Sequence, residues 1–245
     1  MNYIRDALLA FVVATGALFL FARLGGAVAL IGANLGAIIA LVFLYIPHWY
    51  ARKQNLPVEE FGWRWEPVRR GILWGVAFPV LIVLPLFTLG YIVFYQSACA
   101  PSAGVLAKLV VPGACSQFTG FSGAEFPALS WGFAEFVLAQ FIVVALPEEL
   151  FFRGFIHELL ERRFPAKLKI LGGGIGVALL LSSLLFAASH LVVFFDARRL
   201  AVFFPALIFG WMRSATGSIL AGTLAHALSN IGIRLLDGIF LGVTL

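Results

Sequence analysis

Charge is what this 245-residue chain has least of: Asp, Glu, Lys and Arg make up 12% of it, against roughly 25% in a soluble domain. That scarcity excludes an ordinary water-soluble fold, because 62% of the residues are hydrophobic and the mean hydropathy is +1.00. Cysteine is nearly absent too. The only two, Cys99 and Cys115, are too few for a cysteine-based metal centre, but a pair in an exported loop can close a disulfide. No basic stripe with interleaved aromatics exists, so the net charge of +5 does not point to nucleic acid. There is no internal repeat, no low-complexity tract and no His-Glu-x-x-His string. No small-residue cleavage site follows the first apolar run, so that run reads as a retained span.

What is present is a series of long apolar runs. A helix needs about 17–25 such residues to cross ~30 Å of hydrocarbon, and backbone groups in lipid must bond internally. The expectation is an all-α, polytopic transmembrane helical bundle forming one integral-membrane domain over residues 1–245, with residues 1–130 as N-terminal spans and 131–236 as the functional part. Seven spans are expected: Ala7–Phe21, Ala27–Ile46, Ile72–Tyr95, Trp131–Leu160, Gly174–Phe195, Leu200–Met212 and Ile219–Leu236. The short run Gly238–Leu245 is a candidate eighth. The distal part of the fourth, Gly154 to Phe164, is amphipathic and is expected to project into water. With a cytoplasmic N-terminus, eleven of the 17 Lys and Arg residues fall on the inside and five outside, the bias that orients helical membrane proteins.

Against this background Glu148-Glu149-Leu-Phe-Phe-Arg153 stands out. A charge within a spanning helix costs at least ~2.5–3.5 kcal/mol and usually has a functional reason. Glu149 and Arg153 are i and i+4, so they share a face and can pair. Glu148 lies about 100° away and is left to hold or give a proton. A buried structural ion pair with a spare carboxylate would give the same string. Two further spans each carry a polar face, however: Phe186 to His190 on the fifth, and His226 to Asn230 on the seventh. Facing lipid unpaired would be costly, so the three faces are expected to converge. Such a pocket suits hydrolysis, with a glutamate as general base and Asn or His donors for an oxyanion. Zinc on two histidines and a glutamate is the alternative.

Glu-Glu-x-x-x-Arg, Phe-x-x-x-His and His-x-x-x-Asn on successive hydrophobic spans resemble the CPBP family of CAAX proteases and bacteriocin-processing enzymes, also called the Abi family. The resemblance covers Trp131 to Leu236. It implies an intramembrane endopeptidase acting on a membrane-bound peptide or protein substrate, embedded in a bacterial inner membrane. By matching positions, Glu148 and His190 would activate water and His226 and Asn230 would stabilise the oxyanion. Glu149, Arg153 and Phe186 would support them, with no metal required. A membrane scaffold or bacteriocin-immunity protein is the non-enzymatic alternative, and an ion- or proton-coupled transporter a further one. The chain lacks the paired interrupted helices of inverted-repeat transporters.

Overall fold

The computed structural model describes residues 2–245. Its long helices are α1 (Tyr3–Ala27), α2 (Leu35–Lys53), α3 (Val68–Ala98), α4 (residues 131–163), α5 (Val177–Phe194), α6 (Phe203–Thr216) and α7 (Leu220–Leu241). The all-α bundle stands. Five of these, α1, α2, α3, α5 and α7, are long and apolar enough to cross a membrane. With 14 residues, α6 reaches about 21 Å, short of the hydrocarbon thickness. Start signals are local. Asn2 accepts from the Arg5 amide at 3.2 Å to cap α1, and Ser130 accepts from the Phe133 amide at 3.2 Å to cap α4, the usual use of short polar side chains at N-caps.

The structure corrects four of the expected boundaries. The second span starts at Leu35 and not Ala27, because residues 28–34 reverse the chain. A Cβ on Gly25 would lie 3.2 Å from Gly32 Cα, so glycine lets the two arms of the reversal approach. Residues 173–175, expected to open the fifth span, instead form β2 (Gly173–Ile175), antiparallel to β1 (Leu168–Ile170). Leu171 and Gly172 both have positive φ, 48° and 86°, the geometry of a two-residue hairpin turn. The run after Gly238 is no separate span: α7 continues to Leu241 before Gly242 ends it in a left-handed conformation.

The fourth correction matters most. The distal part of α4 does not project freely into water. Gly154, Phe155, Ile156, His157, Leu159 and Leu160 are buried, packed by α1, α2, α5 and the connection after α2. Its charges are met sideways: Glu158 binds Arg162 at 3.0 Å and also Arg213, while Glu161 accepts from the Ala166 amide at 2.9 Å. The connection folds back because Gly154 has no Cβ, so the Phe61 carbonyl can rest against its backbone. Gly62, at φ +89°, approaches Gly154 from the same side.

Helix packing in lipid relies on close fit and small residues. Gly71 and Gly75, i and i+4 on α3, face Leu220 and Ala221 of α7; a Cβ on Gly75 would lie 2.8 Å from the Ala221 carbonyl. On its other flank α7 packs on α6 and on the middle of α4. Behind α4, rings from three segments interlock. Phe43 meets Phe151 at 4.9 Å, Tyr50 meets Phe155 at 5.1 Å, and Phe61 meets Phe155 at 5.3 Å. Such pairs add about 0.5–1.5 kcal/mol each beyond area burial. At the opposite end, Cys99 and Cys115 are joined in a disulfide, and Tyr91 donates to Asp237 at 2.7 Å to tie α3 to the end of α7.

Candidate active site

The glutamate pair sits on one turn of α4 that is framed by widened, i to i+5 bonded turns at residues 140–145 and 150–156. Pro147, just before Glu148, has no amide to donate. A wide turn absorbs the bond it removes and the clash it brings. Glu149 and Arg153 are both buried, and Arg153 Nη1 lies 3.2 Å from Glu149 Oε1, so the i, i+4 pair forms. The guanidinium also covers the Phe186 ring at 4.2 Å and the Phe209 ring at 5.6 Å, and Nη2 donates to the Ala206 carbonyl at 3.4 Å. Arg153 therefore binds α4 to α5 and α6 at once.

Sequence spacing did not anticipate the next contact. His226 Nδ1 lies 2.9 Å from Glu149 Oε1, 77 residues away in the chain. Glu149, already paired with Arg153, accepts, so Nδ1 carries the proton. Phe209 stacks on the imidazole with centroids 5.1 Å apart and planes 13° from parallel. Held on one edge and one face, the ring turns Nε2 toward Glu148 Oε2, 3.8 Å away. That distance is beyond a direct hydrogen bond. One histidine thus stands between both glutamates. α7 comes this close to α4 because position 222 is glycine: a Cβ there would lie 2.8 Å from Glu149 Oε2.

His190 is placed differently. Its Nδ1 lies 3.0 Å from the Phe186 carbonyl of its own helix. A carbonyl only accepts, so Nδ1 bears the proton and Nε2 is left as the acceptor. The ring packs on Phe186 at 4.5 Å, while His226 approaches the same phenylalanine at 6.0 Å. Phe186 is the shared partition between the two histidines and the arginine. No hydrogen bond joins His190 to Glu148 among the described residues. Asn230 donates through Nδ2 to Gln140 Oε1 at 2.8 Å. Gln140, a buried polar residue on α4, is a member of the site that no motif signalled. Its one legible sign was that it and Glu135 are the only strongly polar side chains between Phe133 and Leu146.

Two oxygens around this node, Glu148 Oε2 and Glu149 Oε2, are buried without a hydrogen-bond partner among the described residues. Groups of that kind call for a water or a substrate. Zinc would need three or four donors aimed at one point. His226 turns its two nitrogens to different carboxylates, while His190 is held through Nδ1 by its own helix and keeps Nε2 free. Among the described residues, no three His, Cys, Asp or Glu side chains gather to hold a metal ion.

Fold and site together define a polytopic membrane protein with a buried acid–histidine–arginine centre assembled from α4, α5, α6 and α7. Residues 130–232 match the family model described as type II CAAX prenyl endopeptidase Rce1-like. The matched segment contains all three motifs, and this is the family the sequence resembles. The match supports a multi-pass membrane peptidase. No curated protein and no solved structure matches the chain.

Proposed function

We propose that the protein is a glutamate-type intramembrane endopeptidase that cleaves membrane-tethered, lipidated or C-terminal-tail peptides. In this scheme Glu148 takes a proton from water as the water attacks the scissile carbonyl, and then delivers it to the leaving amine. His190, with Nε2 as its accepting nitrogen, shares the proton. His226 Nε2 and the second Nδ2 proton of Asn230 serve the oxyanion, for which His226 must be in its imidazolium form. Glu149 plays the part of an orienting carboxylate, holding the His226 ring through Nδ1, while Arg153 pairs with Glu149 and fixes its position. Placing a histidine by a carboxylate on one nitrogen so that the other faces the chemistry is a recurring arrangement in acyl transfer. No metal enters any step.

The observation that carries this reading is the bridging position of His226, 2.9 Å from one glutamate and 3.8 Å from the other. A purely structural ion pair has no need of a second carboxylate left facing the free nitrogen. The charge bias and the disulfide in the loop after α3 support a cytoplasmic N-terminus in a bacterial inner membrane. The test is cleavage of a lipid-anchored fluorogenic peptide by protein in liposomes. Glu148→Gln keeps the shape and removes the base, and should lower turnover by about 10²–10⁴. Unchanged turnover would remove Glu148 from the mechanism.

A further inference from the structure

A second recess lies on the other side of α4. Glu149 and Arg153 occupy the face of α4 turned to α6 and α7, whereas Phe151 and Phe155 occupy the face turned to α2, roughly 200° away. Phe155 and Tyr50 form the floor of a cavity of about 550 Å³ between α1 and α2. Its walls are Leu9, Val13, Tyr45 and Trp49, and its mouth carries Arg5 and Lys53. The volume falls within the ~300–1,000 Å³ of small-molecule sites. Three of these four walls are more than half open to the surroundings, with Leu9 at 57%, Val13 at 60% and Tyr45 at 65% exposure, as expected of a slot that opens sideways to lipid.

The polar end is cationic. Asp6 is the one carboxylate in the recess, and it is occupied, accepting from Tyr50 at 3.0 Å and from Arg5 at 3.2 Å. Lys53 has no carboxylate partner among the described residues; its ammonium sits over the Trp49 ring at 4.8 Å. Arg52, also without a carboxylate partner among the described residues, lines the adjoining hollow with His48 and Lys53. Two uncompensated cations, Arg52 and Lys53, stand beside Trp49 in the last turn of α2, at the edge of an apolar slot floored by aromatic rings. Lone interfacial lysines anchor helices generally, but here the cations stand at the mouth of a cavity. Basic pockets between transmembrane helices are suited to anionic lipid headgroups.

We infer that the α1–α2 recess is a binding site for one anionic phospholipid, its phosphate at Lys53 and Arg52, the two cations without a carboxylate partner among the described residues, and the first part of one acyl chain in the slot. The site is separate from the glutamate centre and does not rest on the proposed reaction. The protein is reconstituted in nanodiscs of equimolar phosphatidylglycerol and phosphatidylcholine, and the lipid retained after transfer to detergent is counted by native mass spectrometry. Wild type should keep one phosphatidylglycerol in preference to phosphatidylcholine. Arg52→Ala with Lys53→Ala should lower that retention at least fivefold. Val13→Trp, which fills the slot and leaves the charges, should do the same and guards against a variant that merely misfolds. Phosphatidylglycerol should also raise the Tm of wild type in detergent, where glycerol 3-phosphate should not. Equal retention of both lipids, undiminished retention in the variants, or a full Tm rise with glycerol 3-phosphate alone would each overturn the inference.

Discussion

Removing Arg153 tests the centre of the arrangement most severely. Arg153→Met keeps length and apolar contact but leaves the fully buried Glu149 carboxylate without its cation. Breaking one side of a buried pair typically costs about 3–5 kcal/mol. The guanidinium also covers Phe186 at 4.2 Å, and a desolvated cation–π contact adds about 0.5–2 kcal/mol. His226 remains as a hydrogen-bond partner of Glu149 and offsets part of the loss, so the expected destabilisation is about 3–5 kcal/mol. Glu149→Gln alone strands the arginine instead, with a loss of similar size. The double variant removes both charges and leaves only a neutral amide to satisfy, about 1–3 kcal/mol. Two single losses of that size would add to about 6–10 kcal/mol if independent, and the cycle should fall short of this sum by at least ~3 kcal/mol. Reversible unfolding in mixed micelles, followed by tryptophan fluorescence, measures all four corners. Additivity within about 0.5 kcal/mol would refute the pairing, however close the side chains lie.

Gln140→Leu leaves Asn230 unanchored and should lower kcat more than KM. Gln140→Glu preserves an acceptor at the same place and should restore most of the rate, so equal losses in both variants would assign Gln140 to packing alone. Gly222→Ala pushes a methyl group to 2.8 Å from Glu149 Oε2 and should separate α7 from α4, cutting turnover at least tenfold; wild-type kinetics would show that the approach is unimportant. Cleavage should survive a strong chelator, and the purified protein should carry well under one equivalent of zinc. Activity that follows zinc removal and return would replace the glutamate scheme.

Much of the bundle was legible because lipid punishes exceptions. Long apolar runs had to be helices, and Glu148, Glu149 and Arg153 had to have partners. The i, i+4 spacing was enough to pair Glu149 with Arg153, since that geometry is local. The bond between Glu149 and His226 was not legible, because it depends on how closely two helices cross. The crossing is set by Gly222, and a single glycine in a glycine-rich chain carries no such message. The burial of 154–160 was missed for a similar reason. The periodicity of Glu158, Glu161, Arg162 and Arg163 indicates a polar face but not whether water or other side chains meet it. The hairpin at 168–175 was hidden by brevity, three residues a strand being too few for alternation to register.

The rings behind α4 have a consequence for how the chain can change over time. Phe151 and Phe155 lie within the segment that carries every motif, yet Phe43, Tyr50 and Phe61, the surfaces they press on, come from the part of the chain without any. The motif-bearing half is therefore incomplete on its own: it keeps the cluster of glutamates, histidines and arginine but borrows the wall that holds them in register. Substitutions in the first half are free to alter letters so long as the sum of volumes against α4 is kept. A graft of residues 131–236 onto foreign helices would inherit the polar cluster without the alignment.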